Sequence, residues 1–201
     1  MARTRLHIAL IAPAAALSLS ACGINSIPTA EEEAKARWAD VQNQYQRRAD
    51  LIPNLVASVQ GAAAQERNVL REVTEARASA TRIQLSPEQL RDPEAMRAFS
   101  EAQGRLTSAI IPLQRLQEAY PQLQTNQNFL ALQSQLEGTE NRITIARTDY
   151  NSAVQNYNTR IRTFPDVIGA KVFYGAEPMV PFEATTANAE EAPKVDFGNG
   201  Q

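Results

Sequence analysis

Apolar residues recur along most of this chain in alternating steps of four and three, the spacing of a seam on an α-helix. The first seam runs Ala34, Trp38, Val41, Tyr45, Arg48, Ile52, Leu55, Val59, Ala62, Glu66, Val69, Val73, Ala76 and Ala80, and only Arg48 and Glu66 break its apolar character. Thr29 with Glu32 three residues on has the form of a capping box, and Glu31 to Glu33 suit the positive end of a helix. The register passes straight through Pro53. The pattern therefore predicts one long helix kinked near Pro53, whose ring crowds the carbonyl of Ala49 and removes one backbone bond; the competing reading is two helices that part there.

Ser86, Pro87 and Gln89 offer a second helix start, and Asp92, Pro93 and Glu94 a third. A second seam follows at Phe99, Ala102, Leu106, Ala109, Leu113, Leu116 and Tyr120, with Pro112 expected to bend this helix and Pro121 to end it. Thr125 or Asn126 caps the last long helix, whose seam is Phe129, Leu132, Leu136, Thr139, Ile143, Ala146, Tyr150, Ala153, Tyr157 and Ile161. At 1.5 Å per residue it is roughly 55 Å long. Long amphipathic helices with short connections cover their seams by packing antiparallel. The expected fold is all-α: an elongated antiparallel helical bundle of three long helices over residues 29–174, with a short C-terminal helix after Pro165. From Gly175 the acidic tail, 175–201, is expected to be extended or disordered, since Pro178, Pro181 and Pro193 forbid helix.

The chain begins differently. Arg3 and Arg5 precede an apolar stretch, Ile8 to Leu19, too short for a bilayer span and of the length of a signal h-region. The sequence Leu19-Ser20-Ala21-Cys22 resembles the lipobox of bacterial lipoproteins. That resemblance implies a signal peptide at 1–21, diacylglycerol and fatty acyl groups such as palmitate on the new N-terminal Cys22, and a lipidated linker at 22–28. Two other readings stand beside it: an ordinary secretory signal leaving Cys22 as a free thiol, and an uncleaved N-terminal anchor. Gly23, rather than Asp, after the cysteine leans toward the outer membrane in a Gram-negative cell, with the body on the periplasmic face.

The chemical inventory is narrow. Of 201 residues, the one His is His7 and the one Cys is Cys22, so a mature chain has no imidazole and, with Cys22 acylated, no thiol. Metal sites built from His or Cys and nucleophile–His constellations are thereby excluded, and no metal or cofactor is expected. A net charge of −2 is no footprint for nucleic acid. Arg48 and Glu66 sit on the seam, where a charge needs a partner: a register-setting pair, or a ligand site inside the bundle. Glu137 and Glu140, one turn apart beside Thr139, Asn141 and Arg142, could share a cation, but an intrahelical paired face is the plainer reading. Tyr150 and Tyr157, each followed by Asn, read as core rings whose phenol tips reach partners. Gly61, Gly104 and Gly138, isolated in helical patterns, are read as points of close helix approach.

Several strings resemble the LemA family. They are Arg48-Ala49-Asp50-Leu51-Ile52-Pro53-Asn54-Leu55-Val56, Glu72 to Ala78, Glu118-Ala119-Tyr120-Pro121, Asn128 to Gln133, and Leu136-Glu137-Gly138-Thr139-Glu140-Asn141-Arg142-Ile143. Tyr150-Asn151, Tyr157-Asn158, Phe164-Pro165 and Pro193-Lys194-Val195-Asp196-Phe197 agree as well. The resemblance covers nearly the whole mature chain and implies an all-α bundle held at a membrane by its N-terminal segment; it supplies no reaction. Many members carry an uncleaved transmembrane helix where this chain has a lipobox. The expectation is a membrane-anchored lipoprotein acting without catalysis as a scaffold or interaction module at the bacterial cell envelope. Its partners are membrane lipid through Cys22 and envelope proteins or further copies of itself. The alternatives are a self-assembling membrane-remodelling or lipid-handling protein and, less favoured, a carboxylate-dependent cell-wall enzyme. Structural or interaction roles are expected at Arg48, Asp50, Pro53, Glu66, Glu137, Glu140, Arg142, Tyr150 and Tyr157.

Overall fold

A computed structural model describes residues 25–183; Cys22, the expected signal peptide at 1–21 and residues 184–201 lie outside the described residues. Four long helices carry the fold: α1 (Ser26–Gln60), α2 (Arg67–Arg82), α3 (Pro93–Ala119) and, after a single turn α4 (Pro121–Gln124), α5 (Gln127–Arg160). A 3-10 turn (Glu88–Arg91) links α2 to α3, and α6 (Asp166–Gly169) leads into a π-helical turn (Ala170–Tyr174). No strand occurs among the described residues.

The long helices bury most of their stripes, although in α2 the buried residues are Leu70, Val73 and Ala80, with the seam's Val69 and Ala76 only partly buried. In α1 the buried positions include every seam residue from Ala34 to Val59. In α3 they include Phe99, Ala102, Leu106, Ala109, Leu113 and Leu116, and in α5 Phe129, Leu136, Thr139, Ile143, Ala146, Tyr150, Ala153 and Tyr157. The helix starts follow local chemistry. The Asp92 carboxylate accepts from the Glu94 backbone N–H at 2.9 Å with Pro93 at the first helical position, and Asn126 accepts from the Phe129 N–H at 3.1 Å. Tyr120, held extended at φ −123° and ψ 90° before Pro121, ends α3, while Pro112 lies inside that helix.

The helices run up, down, up and down. Arg77 of α2 reaches back to Ala49 and Gln42 of α1 to the Leu85 carbonyl, so α2 descends along α1. Tyr120, at the end of α3, donates to Glu66 beside the top of α1. At the lower end Arg91 is 2.8 Å from Glu31. Burial works to raise the Glu31 pKa, but the hydrogen bonds from Lys35 and Arg91 outweigh it and hold the carboxyl below its ordinary value. The α1 helix lies along α5 and α2 along α3, whereas α3 and α5 stay apart and leave one side of the bundle open.

The structure corrects four expectations. The first seam belongs to two helices, α1 and α2, so the bundle has four long helices rather than three. The chain breaks at Gly61–Glu66, eight residues past the proline; Pro53 lies inside α1. A heptad stripe looks the same whether a helix continues or folds back on the same core, so the register carried no sign of the reversal. Thr29 is not the cap: α1 already contains Ser26 to Pro28, Ile27 is buried, and the Thr29 hydroxyl donates to the Asn25 carbonyl at 2.8 Å. A Cβ placed on Gly61, Gly104 or Gly138 would meet nothing within 4 Å, so these mark no close helix approach.

Why α1 tolerates Pro53 is visible in its neighbour. Without an N–H at Pro53, the Ala49 carbonyl lacks its ordinary intrahelical donor. The Arg77 Nε of α2 donates to that oxygen at 2.6 Å. Arg77→Met is expected to orphan this part-buried carbonyl and cost about 1–3 kcal/mol. Adding Pro53→Ala, which restores a backbone donor, should recover much of that loss in urea unfolding; equal losses with and without Pro53 would show that Arg77 does not compensate for the proline.

Candidate functional site

Arg48 projects from the α1 seam into the centre of the bundle and is 1% exposed. Its Nη1 donates to Glu140 Oε1 on α5 at 3.0 Å and to Thr107 Oγ1 on α3 at 2.9 Å. Its Nη2 donates to the Gln103 side-chain oxygen at 2.6 Å and the Gln103 carbonyl at 3.2 Å. Gln103 is itself buried and passes the link on, its amide donating to the Ala80 carbonyl of α2 at 3.2 Å. The guanidinium carbon also lies 5.0 Å from the Tyr45 ring centroid. One side chain thus ties α1 to α3 and α5 directly and to α2 through Gln103. The apolar core separates into two clusters on either side of this layer, one around Trp38, Phe99 and Tyr150, the other around Leu55, Leu113 and Phe129.

The Glu140 carboxylate is 37% exposed, so the pair is half open to solvent and its Coulomb attraction partly screened. The buried guanidinium still needs it, because removing one member of such a pair strands the other in low dielectric. Glu137 does not join: it is exposed and accepts from Gln133 on its own helix at 3.2 Å. Asp50 is exposed and accepts from Gln46, Arg142 is exposed, and Glu66 stands at the start of α2, accepting the Tyr120 hydroxyl at 2.9 Å. The structure therefore brings Arg48 and Glu140 together and leaves the other polar positions apart. Sequence reasoning missed Gln103 and Thr107, which share the stripe of α3 with Leu106 and carry no signal beyond that position.

The second constellation is a strap. After the π-helical turn, Gly175 adopts φ +53°, a left-handed conformation that favours glycine, and the chain reverses. Residues 176–183 then run extended along α5. Tyr157 donates to the Glu177 carbonyl at 3.1 Å and Tyr150 to that of Val180 at 3.0 Å. Asn158 clamps both backbone groups of Met179, at 2.8 and 2.9 Å, and Asn151 both of Phe182, at 3.0 and 2.8 Å. The repeat is geometric. Seven helical residues rise about 10.5 Å, and three extended residues span about 10 Å, so a Tyr-Asn pair every seven positions meets a strap that repeats every three. Pro178 and Pro181 keep the same period of three and have no N–H that needs an acceptor.

The strap's Met179 and Phe182 are buried, which carries the core past residue 174. The Phe182 ring stacks on Trp38 with centroids 5.6 Å apart, meets Tyr150 edge-on at 5.7 Å, and lies under the Arg147 guanidinium at 4.8 Å. Arg147 also donates to the Glu183 carbonyl at 3.2 Å. Burial pushes the Tyr150 phenol pKa well above its ordinary value, and Tyr45 rises for the same first reason.

Above the strap the gap between α3 and α5 is an open groove of about 1220 Å³. Its walls include Gly104, Thr107, Ser108, Thr144 and Arg147, with Arg48 and Glu140 at its floor. No Asp or Glu is buried among the described residues; of the acids lining the groove beyond Glu140, Glu94 and Glu101 are paired with Arg97, and Glu72, Glu75 and Glu183 are exposed. Among the described residues, the groove has no facing pair of buried acids for proton transfer.

Two outcomes are expected. A double-mutant cycle of Arg48→Met and Glu140→Gln should give a coupling of about 2 kcal/mol in urea unfolding, and additive losses would remove the pair from the account. For Tyr150, a folded pKa above the unfolded one means that stability is complete below about pH 10 and falls as pH rises beyond it, because the unfolded chain loses its proton first. Tyr150→Phe should flatten the loss of stability between pH 9 and 11 relative to the parent chain; an unchanged slope would mean that the buried phenol does not contribute.

Comparison with known proteins follows the same outline. The chain is similar to magnetosome proteins MamQ 1 and MamQ 2 of Paramagnetospirillum magneticum, 27% identical over 157 residues, and to magnetosome protein MamQ of Magnetospirillum gryphiswaldense, 26% identical over 157 residues. The alignments cover 70% of this chain and 58% of each relative, so the chain spans little more than half the length of these relatives. None of these names is that of an enzyme. A family model described as "LemA family" matches residues 37–197, from the start of the aromatic seam to the last residues of the tail, and the chain belongs to the LemA family.

Proposed function

We propose that this protein is a lipoprotein held at the bacterial membrane through acylated Cys22, and that its bundle serves as a non-catalytic interaction module at the cell envelope. The observation that carries the reading is how the polar groups of the bundle are spent. Arg48, Gln103, Thr107 and Glu140 bind one another across helices, and Tyr150, Asn151, Tyr157 and Asn158 bind the chain's own strap. These groups are engaged in architecture, and the open groove beyond the strap offers polar walls and length. No described helix is long and apolar enough to cross a membrane, so attachment in this reading comes from the N-terminal segment. More than one acyl chain on Cys22 makes such attachment stable. The groove between α3 and α5 is the surface assigned to a partner, an extended segment of an envelope protein held as the strap is held.

Two measurements test this. Intact mass of the purified chain should show cleavage before Cys22 and added lipid, and Cys22→Ser should abolish both and release the body from membranes. Photo-crosslinking residues placed at Ser108 and Thr144, inside the groove, should give a discrete protein adduct in native envelopes. The same residue at Ser58, outside the groove, should not. Equal or absent adducts at all three positions would reject the groove as the working surface.

A further inference from the structure

The end of the bundle nearest the N-terminus carries apolar side chains that the fold does not bury. Phe164 is 80% exposed, Val172 69% and Phe173 65%, and Ile168 and Tyr174 are exposed beside them. All belong to the short run 164–174, around α6 and the π-helical turn. The other large exposed apolar residues, Ile111, Leu130 and Ile145, are spread along α3 and α5. A folded domain seldom leaves such a cluster in water unless something covers it.

What covers it is indicated by where the N-terminus enters. The Ser26 hydroxyl donates to the Asp166 carboxylate at 2.6 Å, so α1 begins against α6, at the same tip. Cys22 lies only four residues before Ser26, a reach of roughly 14 Å at full extension. If Cys22 carries lipid, the proposed function's own premise, the apolar tip lies within that distance of the bilayer. Its charge suits the same surface. Between residues 160 and 174 stand Arg160, Arg162 and Lys171 and one acid, Asp166, which is already engaged by Ser26 and lies 3.5 Å from Arg160. Aromatic rings with cations at their margin form the pattern that settles at the headgroup level of a membrane.

We propose that the tip formed by Phe164, Ile168, Val172, Phe173 and Tyr174 inserts into the lipid interface beside the N-terminal attachment point, with Arg162 and Lys171 on headgroup phosphates. Acyl chains alone are a flexible tether that leaves the body free to tumble. A second, rigid contact at the same end holds the bundle upright, with the α3–α5 groove facing sideways along the membrane surface.

The test uses the full chain, purified with its native N-terminus and reconstituted into vesicles of phosphatidylethanolamine and phosphatidylglycerol. Single nitroxide labels are placed at Phe173→Cys, at Ile168→Cys and, as a control at the far end, at Leu130→Cys. All three positions are exposed, so the substitutions leave the core intact. Power saturation should show the labels at 173 and 168 accessible to dissolved oxygen and shielded from a water-soluble nickel chelate, with the reverse at 130. Nickel accessibility at 173 and 168 equal to that at 130 overturns the proposal. So does spin–spin broadening at 173 that survives dilution into excess lipid, which would assign the tip to a second copy of the chain. The anchoring premise is read separately, because an unacylated Cys22 would take up a second nitroxide. The depth of the label at 173 decides the insertion in that case too, and a tip that stays in water or a chain that does not float with the vesicles counts against it.

Discussion

A guanidinium buried within a helical bundle has to bring its partners with it, and Arg48 sets the terms for the rest of this molecule. Apolar heptad seams are nearly indifferent to sliding: a helix shifted by seven residues, about 10.5 Å, still presents an apolar stripe. Arg48 is not indifferent. Its Nη1 and Nη2 donors are met only when Thr107 and Gln103 of α3 and Glu140 of α5 stand at one height, and Gln103 then fixes the level of Ala80 on α2. The layer contributes register more than stability, since taking a charge out of water offsets much of what its hydrogen bonds return.

Much of this was legible in the primary structure, and the parts that were not share a cause. The core stripes within Trp38 to Val59, Phe99 to Leu116 and Phe129 to Tyr157 are readable because a helical stripe depends only on spacing within the helix. Asp92 and Asn126 announced their helices because capping is local. The reversal at Gly61–Glu66 left no such trace. The segment is rich in alanine, a good helix former, and the stripe beyond it continues in step. Thr29 misled for the opposite reason: a good local cap motif lost to a helix that starts earlier, where Ile27 finds burial. Arg48 was singled out as a charge on a seam, yet Gln103 and Thr107 lie more than fifty residues away and nothing near Arg48 names them. The Tyr-Asn repeat was visible too, but its partners are backbone groups of an extended segment, which no side-chain pattern identifies.

The same economy runs through the helices and the strap. At several places where the chain gives up a backbone bond, a side chain from another element supplies it: Arg77 for the Ala49 carbonyl four residues before Pro53, and Asn151 and Asn158 for a segment that has no neighbouring strand. This LemA-family bundle is open along one flank. Four helices would ordinarily seal into a ring; here α3 and α5 remain apart, and the lower part of that gap is filled by residues 177–183 while the upper part is not.

The strap has a consequence for biosynthesis. Phe182 completes the ring cluster of Trp38, Phe99 and Tyr150, yet it is translated after all three of them. A polypeptide emerging from its N-terminus can form α1, α2 and α3 while the pocket that Phe182 will fill still stands open to water. A chain that stopped between Tyr150 and Phe182 would leave the rings of Trp38, Phe99 and Tyr150 without the partner that packs against them.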